Sequence, residues 1–324
     1  MAKVISKGST PAGMHIPIMV DEILGFLRIE PGQTGLDATL GYGGHSGKML
    51  EKLQGKGHLY ALDVDPIESA KTEERLRKAG YGEDIFTVRH MNFRDIDQLS
   101  AEVGKFDFMM ADLGVSSMQI DDPSRGFSYK NEGPLDLRLN PEKGVPAWEM
   151  LQGLTQPEVA DMLFTNADEP YAEKLSRAIV KQNRSGHRIR TTTDLRAVIE
   201  GAMEKELKNV PAAEKKEEIK KTCQRVFQAV RIEVNGEYEA LEALMSKLPG
   251  VMNPGGRIAV LTFHSGEDRI VKQAFREFCR EGVYSEATRE VIRPTAEECR
   301  RNSRAHSAKL RWAIVSSAEG ESLR

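Results

Sequence analysis

Residues 34–46, TGLDATLGYGGHS, read as a buried strand that runs into a glycine-rich turn. From His45 onward, HSGKMLEKL has its apolar residues at helical spacing. A strand–glycine turn–helix unit brings backbone against a ligand, because glycine has no side chain to hold it away. The next strand-like run, GHLYALD, ends in Asp63, twenty-two residues after Gly41. A carboxylate there can accept hydrogen bonds from both ribose hydroxyls of a nucleoside. The pattern predicts a nucleoside-containing cofactor.

Spacing narrows the choice. The dinucleotide fingerprint G-x-G-x-x-G/A fits at Gly41 and Gly43 but meets Ser46 at its third position. Read as a P-loop, the same stretch puts Tyr42 where the first glycine belongs. It also puts Met49 where the magnesium-binding hydroxyl should be. Both phosphate-binding patterns fail at a position with a chemical role. A G-x-G-G turn followed by an acid suits S-adenosylmethionine, which has a ribose and no phosphates.

Composition sets outer bounds. A chain of 324 residues can bury a full α/β core and carry a second domain. A net charge of −3 announces no nucleic-acid binder, so any basic footprint must be local. Cys223, Cys279 and Cys299 have neither metal nor redox spacing, which points to reduced thiols and a cytoplasmic protein without a metal. No segment approaches the roughly eighteen apolar residues of a membrane span, so no membrane partner is expected.

Strand-like and helical runs alternate through the first third. Asp65-Pro66 is a helix start, with Asp65 as N-cap and Pro66 in the first turn. SAKTEERLRKAG follows as a helix, then IFTVRH and FDFMMAD as third and fourth strands. Repeated βα winding of this kind gives a mainly parallel sheet. The next strand, RIAVLTF at 257–263, comes more than a hundred residues later, a gap that must hold a domain of its own. Within it, residues 113–146 read as an ordered loop and 147–220 as helices. Thr155 and Glu158 form a capping box, and Thr193 is placed to cap LRAVIEGAMEKEL. The expected division is a core at 1–128, a loop and helical insert for substrate recognition at 129–221, and the rest of the core at 222–324.

From the fourth strand onward a family resemblance emerges. FDFMMADLGVSSMQIDDPSRGFSY and GPLDLRLNP closely resemble the ribosomal small-subunit RNA (cytosine-N4) methyltransferase family known as RsmH or MraW. HIPIMVDE at 15–22, GYGGHS, RVFQAVRIEVNGE, PGGRIAVLTFHSGEDRIVK and NSRAHSAKLRWA continue the match over nearly the whole chain. The resemblance implies an α/β class I methyltransferase fold, Rossmann-like with an inserted helical domain. It implies S-adenosylmethionine as cofactor, with contacts from Gly43, Gly44, His45, Asp63, Phe93, Asp112 and Gln119. It also implies small-subunit ribosomal RNA, free or as the assembled subunit, as partner, and leaves open whether the chain forms a homodimer.

The chemistry asks for placement. The cytosine amine is a poor nucleophile because its lone pair is conjugated with the ring, so acceptors that hold its hydrogens and align it carry much of the rate. Asp112, at the end of strand four, is the candidate catalytic residue. Amino-methyltransferases in general carry D/N/S-P-P-Y/F here, whereas this chain has Asp112-Leu-Gly-Val-Ser-Ser. A stacking aromatic must then come from elsewhere; Phe127 and Tyr129 are candidates, with a hydrophobic plug as the competing reading. Arg125, Asp136 and Arg138 in the same blocks, and His264 and Arg269 past strand five, complete the expected substrate-facing set. Methylation at carbon-5 would need a nucleophilic cysteine, usually after proline, and none of the three follows one.

Two basic clusters supply a local footprint for RNA phosphates. One holds Lys174, Arg177, Lys181, Arg184, Arg188 and Arg190; the other holds Arg293, Arg300, Arg301, Arg304, Lys309 and Arg311. The bland reading of each is solvated surface. Gly266 stands where the family usually has leucine. Two other function classes compete: an RNA-binding ribosome-assembly protein with a retained but non-catalytic cofactor site, and a nicotinamide dehydrogenase. Intact Asp63 and Asp112 weigh against the first, and Ser46 against the second.

Overall fold

The computed structural model describes residues 16–317. His15, which opens the HIPIMVDE block, and the outermost residues of the expected core segments lie outside them. The described residues form two compact units, one of residues 16–114 with 238–317 and one of residues 115–237. The expected insert, 129–221, is narrower at both ends. At the C-terminal end helix packing explains the difference, because the unit's longest helix carries the chain past residue 221.

In chain order the first unit begins α1 (Val20–Leu27), β1 (Thr34–Asp37), α2 (Gly44–Leu53), β2 (His58–Asp63), α3 (Pro66–Lys78), β3 (Phe86–His90), α4 (Ile96–Val103) and β4 (Phe106–Asp112). The second unit contains α5 (Ser117–Asp121), α6 (Ala147–Gly153), α7 (Gln156–Ala167), α8 (Ala172–Arg184), α9 (Thr192–Glu206) and α10 (Ala212–Asn235). The first unit then resumes with α11 (Glu237–Val251), β5 (Met252–Thr262), α12 (Ser265–Arg280), β6 (Tyr284–Ala287), α13 (Ala296–Arg301) and β7 (Lys309–Val315).

Seven strands make one sheet in the order β3-β2-β1-β4-β5-β7-β6. The first five in that order run parallel, and β7 pairs antiparallel with both β5 and β6. The mainly parallel expectation therefore holds, with an antiparallel edge that reading the chain for βα units did not reveal. Winding reverses between β1 and β4, and in such sheets ligands bind beyond the carboxyl ends of the strands at that reversal.

Alternation along the strands explains the two-faced core. Met109 and Ala111 of β4 join one buried cluster with Leu36, Ile258 and Val260, against α4, α11 and α12. Phe108 and Met110 join the other with Leu59, Ala61 and Leu261, against α1, α2 and α3. A period of two on strands covered on both sides leaves no polar face. Gly35 is required at its position, since a Cβ there would lie 2.0 Å from the Phe108 ring.

The helical unit has its own core, with Leu163, Leu175, Ile179, Leu195, Val226 and Val230 buried together. Its helices start where capping chemistry allows. Thr155 and Glu158 make the expected box on α7. On α9 the cap is Thr191 paired with Asp194, and Thr193 falls inside the first turn. Residues 113–146 are not wholly loop, because Ser116 and Gln119 close a capping box around α5 and a 3₁₀ turn follows at Pro123–Arg125. A short helix with few apolar positions leaves no periodic trace in sequence.

Candidate active site

The carboxyl ends of β1, β2 and β4 each carry an aspartate. Asp63, half-buried at the end of β2, accepts the Gly41 N–H at 2.9 Å and the Asp65 N–H at 2.8 Å, one on each carboxylate oxygen. Burial, together with the Asp65 and Asp37 charges, pushes its carboxyl up to about 6, although the two backbone bonds pull the other way. Asp65 caps α3 and Pro66 opens it, as expected.

Asp37 was not foreseen. It is buried at the end of β1, accepting the Ser46 hydroxyl at 2.6 Å and the Thr39 N–H at 3.0 Å, and burial raises its carboxyl above the usual range. Ser46, the residue that broke the dinucleotide fingerprint, thus ties α2 to β1. The signal was present, since an acid at the end of a strand was the feature that singled out Asp63. Asp112 ends β4, where its N–H donates to Thr39 Oγ1 at 2.6 Å and its carboxylate lies 3.4 Å from Nδ1 of His45.

The glycine turn is built by backbone and braced by α3. Gly41 has φ +47° and Gly43 φ +77°, a region that side-chain-bearing residues avoid. A Cβ on Gly43 would come within 2.7 Å of Thr72 Cγ2, whereas one on Gly41 meets nothing closer than 3.8 Å. Thr72 donates to the Gly41 carbonyl at 2.6 Å, and Arg75 donates to the Tyr42 carbonyl while stacking 3.8 Å over the Tyr42 ring. Gly44 and His45 open α2, so His45 is a helix-start residue that also faces the acidic edge. Phe93 follows β3 and packs, half-buried, against the sheet core.

At the tip of β5, His264 caps α12, accepting the Glu267 N–H at 3.4 Å on Nδ1 and placing Nε2 3.1 Å from the Glu267 carboxylate. Arg269 is exposed on α12. A Cβ on Gly266 would sit 1.8 Å from the Tyr238 hydroxyl, so the phenol fills the space a larger residue would take.

In the helical unit the expected substrate residues have structural duties. Arg125 is buried and donates to the carbonyls of Arg138 and Leu139. Asp136 and Arg138 form a two-pronged pair with both contacts at 2.8 Å. Phe127 and Tyr129 pack at the margin of the helical core, with Tyr129 5.9 Å from the Phe227 ring. That favours the plug over a freely presented stacking surface. Gln119 is buried and accepts the Ser116 N–H at 2.9 Å.

The two basic clusters differ. Arg177, Lys181 and Arg184, spaced four and three apart on α8, line a concavity of about 380 Å³ with Gln156 and Ser185. Among the described residues these three cations have no ion-pair or hydrogen-bond partner, whereas Lys174 is paired with Glu206 and Arg188 donates to Gln152. In the C-terminal cluster, Arg311 is buried and bound to Asp268 at 2.7 Å, Lys309 lies 3.8 Å from the same carboxylate, and Arg301 is paired with Glu297. Arg311 and Lys309 thus hold the fold together, whereas Arg293, Arg300, Arg301 and Arg304 lie exposed on the surface.

The chain is similar to known proteins over most of its length. A model described as the MraW methylase family matches residues 12–315. Ribosomal RNA small subunit methyltransferase H 1 of Lachnoclostridium phytofermentans is 61% identical over 312 residues, covering 96% of this chain and 84% of that protein. The protein of the same name from Agathobacter rectalis is 59% identical over 311 residues, covering 96% and 88%. Ribosomal RNA small subunit methyltransferase H of Fusobacterium nucleatum is 37% identical, covering 92% of this chain and 95% of its own length.

Proposed function

The chain belongs to the MraW methylase family, and we propose that it moves a methyl group to the exocyclic N4 amine of a cytidine in small-subunit ribosomal RNA. It is an S-adenosylmethionine-dependent ribosomal RNA methyltransferase. The observation that carries the proposal is the set of three aspartates, Asp37, Asp63 and Asp112, at the tips of strands β1, β2 and β4 beside the glycine turn.

That edge fits the cofactor. Three carboxylates repel the phosphates of a dinucleotide and favour a sulfonium cation. Each Asp63 oxygen accepts one backbone N–H and keeps lone-pair capacity for a ribose hydroxyl. Gly41 leaves room beside it. We assign cofactor contacts to Gly43, Gly44, His45, Asp63, Phe93 and Asp112, with Gln119 as a further contact.

When bound, S-adenosylmethionine supplies a methyl already activated on sulfur. Asp112 accepts an amino hydrogen of the cytosine and turns the nitrogen lone pair out of conjugation, so orientation carries the step. No strong general base is required, because the amine becomes acidic only as the nitrogen–methyl bond forms and the sulfur–methyl bond breaks, and Asp112 or water then takes the proton it loses.

The helical unit supplies the RNA grip. Arg177, Lys181 and Arg184 are assigned to backbone phosphates, which cations without partners among the described residues meet at the lowest desolvation cost. No helix among the described residues is long and apolar enough to cross a membrane, and we place the protein in the cytoplasm. Nucleoside mass spectrometry of small-subunit RNA from cells lacking the chain tests the function. Restoration of N4-methylcytidine by the wild-type chain and not by Asp63→Ala supports it. Unaltered RNA, with the chain still binding the subunit, would favour an assembly role. Assaying free RNA against assembled subunits identifies the true substrate.

A further inference from the structure

His45 sits between two acceptors. Its Nε2 lies 2.9 Å from the Ile18 carbonyl oxygen, and its Nδ1 lies 3.4 Å from a carboxylate oxygen of Asp112. Neither neutral tautomer satisfies both contacts. With the proton on Nε2, the Nδ1 lone pair faces the carboxylate; with the proton on Nδ1, the Nε2 lone pair faces the carbonyl. Only the imidazolium donates at both ends. We propose that His45 is held as an imidazolium that pins one oxygen of Asp112, making it a positioning residue for methyl transfer.

The charged surroundings support this. Asp112 approaches from the end of β4 and Asp37 from the end of β1, both carboxylates; Ile18 approaches from the segment before α1. On α2 itself, Lys48 is exposed and occupied by Glu51. Two effects oppose protonation: burial, with His45 8% exposed, and the positive end of α2. The carboxylates and the carbonyl outweigh burial and hold the imidazole above its ordinary value. Asp112 is then fixed twice, by the bond from its N–H to Thr39 Oγ1 and by His45 at its carboxylate. Its Oδ1 has no hydrogen-bond partner among the described residues. That oxygen is the one available to the reacting amine, so the inference rests on the function proposed above only for its consequence.

The charge state can be read without cofactor or RNA. Full-length chain labelled with ¹⁵N-histidine is titrated by imidazole ¹⁵N NMR, with His45→Gln to identify the resonance. The inference expects both His45 nitrogens protonated at neutral pH, with a midpoint above the free value of about 6.5. It also expects that midpoint to fall by about one unit or more in Asp112→Asn. A singly protonated ring at neutral pH in the wild-type chain would overturn it, whatever the variants do. So would a midpoint that Asp112→Asn leaves in place. The consequence is read separately, in methyl-transfer rate against pH. Wild type should slow as pH rises through the His45 midpoint, while His45→Gln should be slower below it and flat across it. A doubly protonated ring with no methyl transfer to RNA would leave the charge assignment standing and sink the proposed function instead.

Discussion

The two units handle charge in opposite ways. In the sheet unit, acidic side chains collect at one edge, partly or wholly buried, each committed to backbone N–H groups, a hydroxyl or His45. In the helical unit, three cations of α8 stand on the surface without ion-pair or hydrogen-bond partners among the described residues. Buried charges with fixed partners give a preorganised site for a small cationic ligand, weakly screened by salt. Solvated cations give a polyanion a grip that salt abolishes. On the function proposed above, one chain separates a precise chemical site from a tolerant binding surface.

The largest expected effect tests whether surface cations are the helical unit's whole use of charge. Glu169 is fully buried there and receives Arg225 Nε at 2.7 Å. Arg225→Ala strands that carboxylate and should destabilise the chain by about 3–5 kcal/mol in denaturant titration. A loss near zero would mean that the pair is no deeper in energy than the α8 stripe. In the sheet unit, Asp63→Ala should weaken cofactor binding by about 1.5–3 kcal/mol in calorimetry, the worth of hydrogen bonds to a charged group.

The same residue gives a pH test with a definite sign. Its folded value of about 6 lies above the ordinary 3.8, so its contribution to stability is fully present below 3.8 and lost as pH rises through 6. Cofactor binding runs the other way, since a protonated carboxyl accepts hydrogen bonds poorly. Acidification through pH 6 should weaken the cofactor while Asp63 itself favours folding. Calorimetry and thermal melts over one pH series separate the two.

Smaller effects sharpen the contrast. Gly43→Ala sets a Cβ against Thr72 at positive φ and should destabilise by about 1–3 kcal/mol in the same denaturant assay. Changing Arg177, Lys181 and Arg184 together to glutamine should move stability by no more than about 0.5 kcal/mol. The slope of RNA affinity against salt should still become shallower by about 0.7 for each phosphate left without its cation. An unchanged slope would reduce the stripe to ordinary solvated surface.

Much of this was legible in the sequence, for identifiable reasons. Strands β1, β2 and β4 are short apolar runs that end in acids, and Asp65-Pro66 announced α3 because capping is local chemistry. The antiparallel β6 and β7 escaped because their pairing is long-range; Val260 faces Arg311 across fifty residues of chain. Asp37 escaped because it lies inside the stretch whose glycines drew the reading. Arg125, Arg138 and Arg311 looked like RNA-facing charges, and only the structure shows the carbonyls and carboxylates that occupy them.

The central claim is that the acidic sheet edge orients a cytidine amine for methyl transfer. Single-turnover reactions on small-subunit RNA at saturating cofactor, with the product nucleoside located by mass spectrometry, test it most directly. The account expects methyl on the N4 amine, formed by wild type, more slowly by Asp112→Asn, which keeps an acceptor oxygen, and far more slowly by Asp112→Ala. Methyl on carbon-5 or a ribose oxygen, or Asp112 variants as fast as wild type, would contradict it.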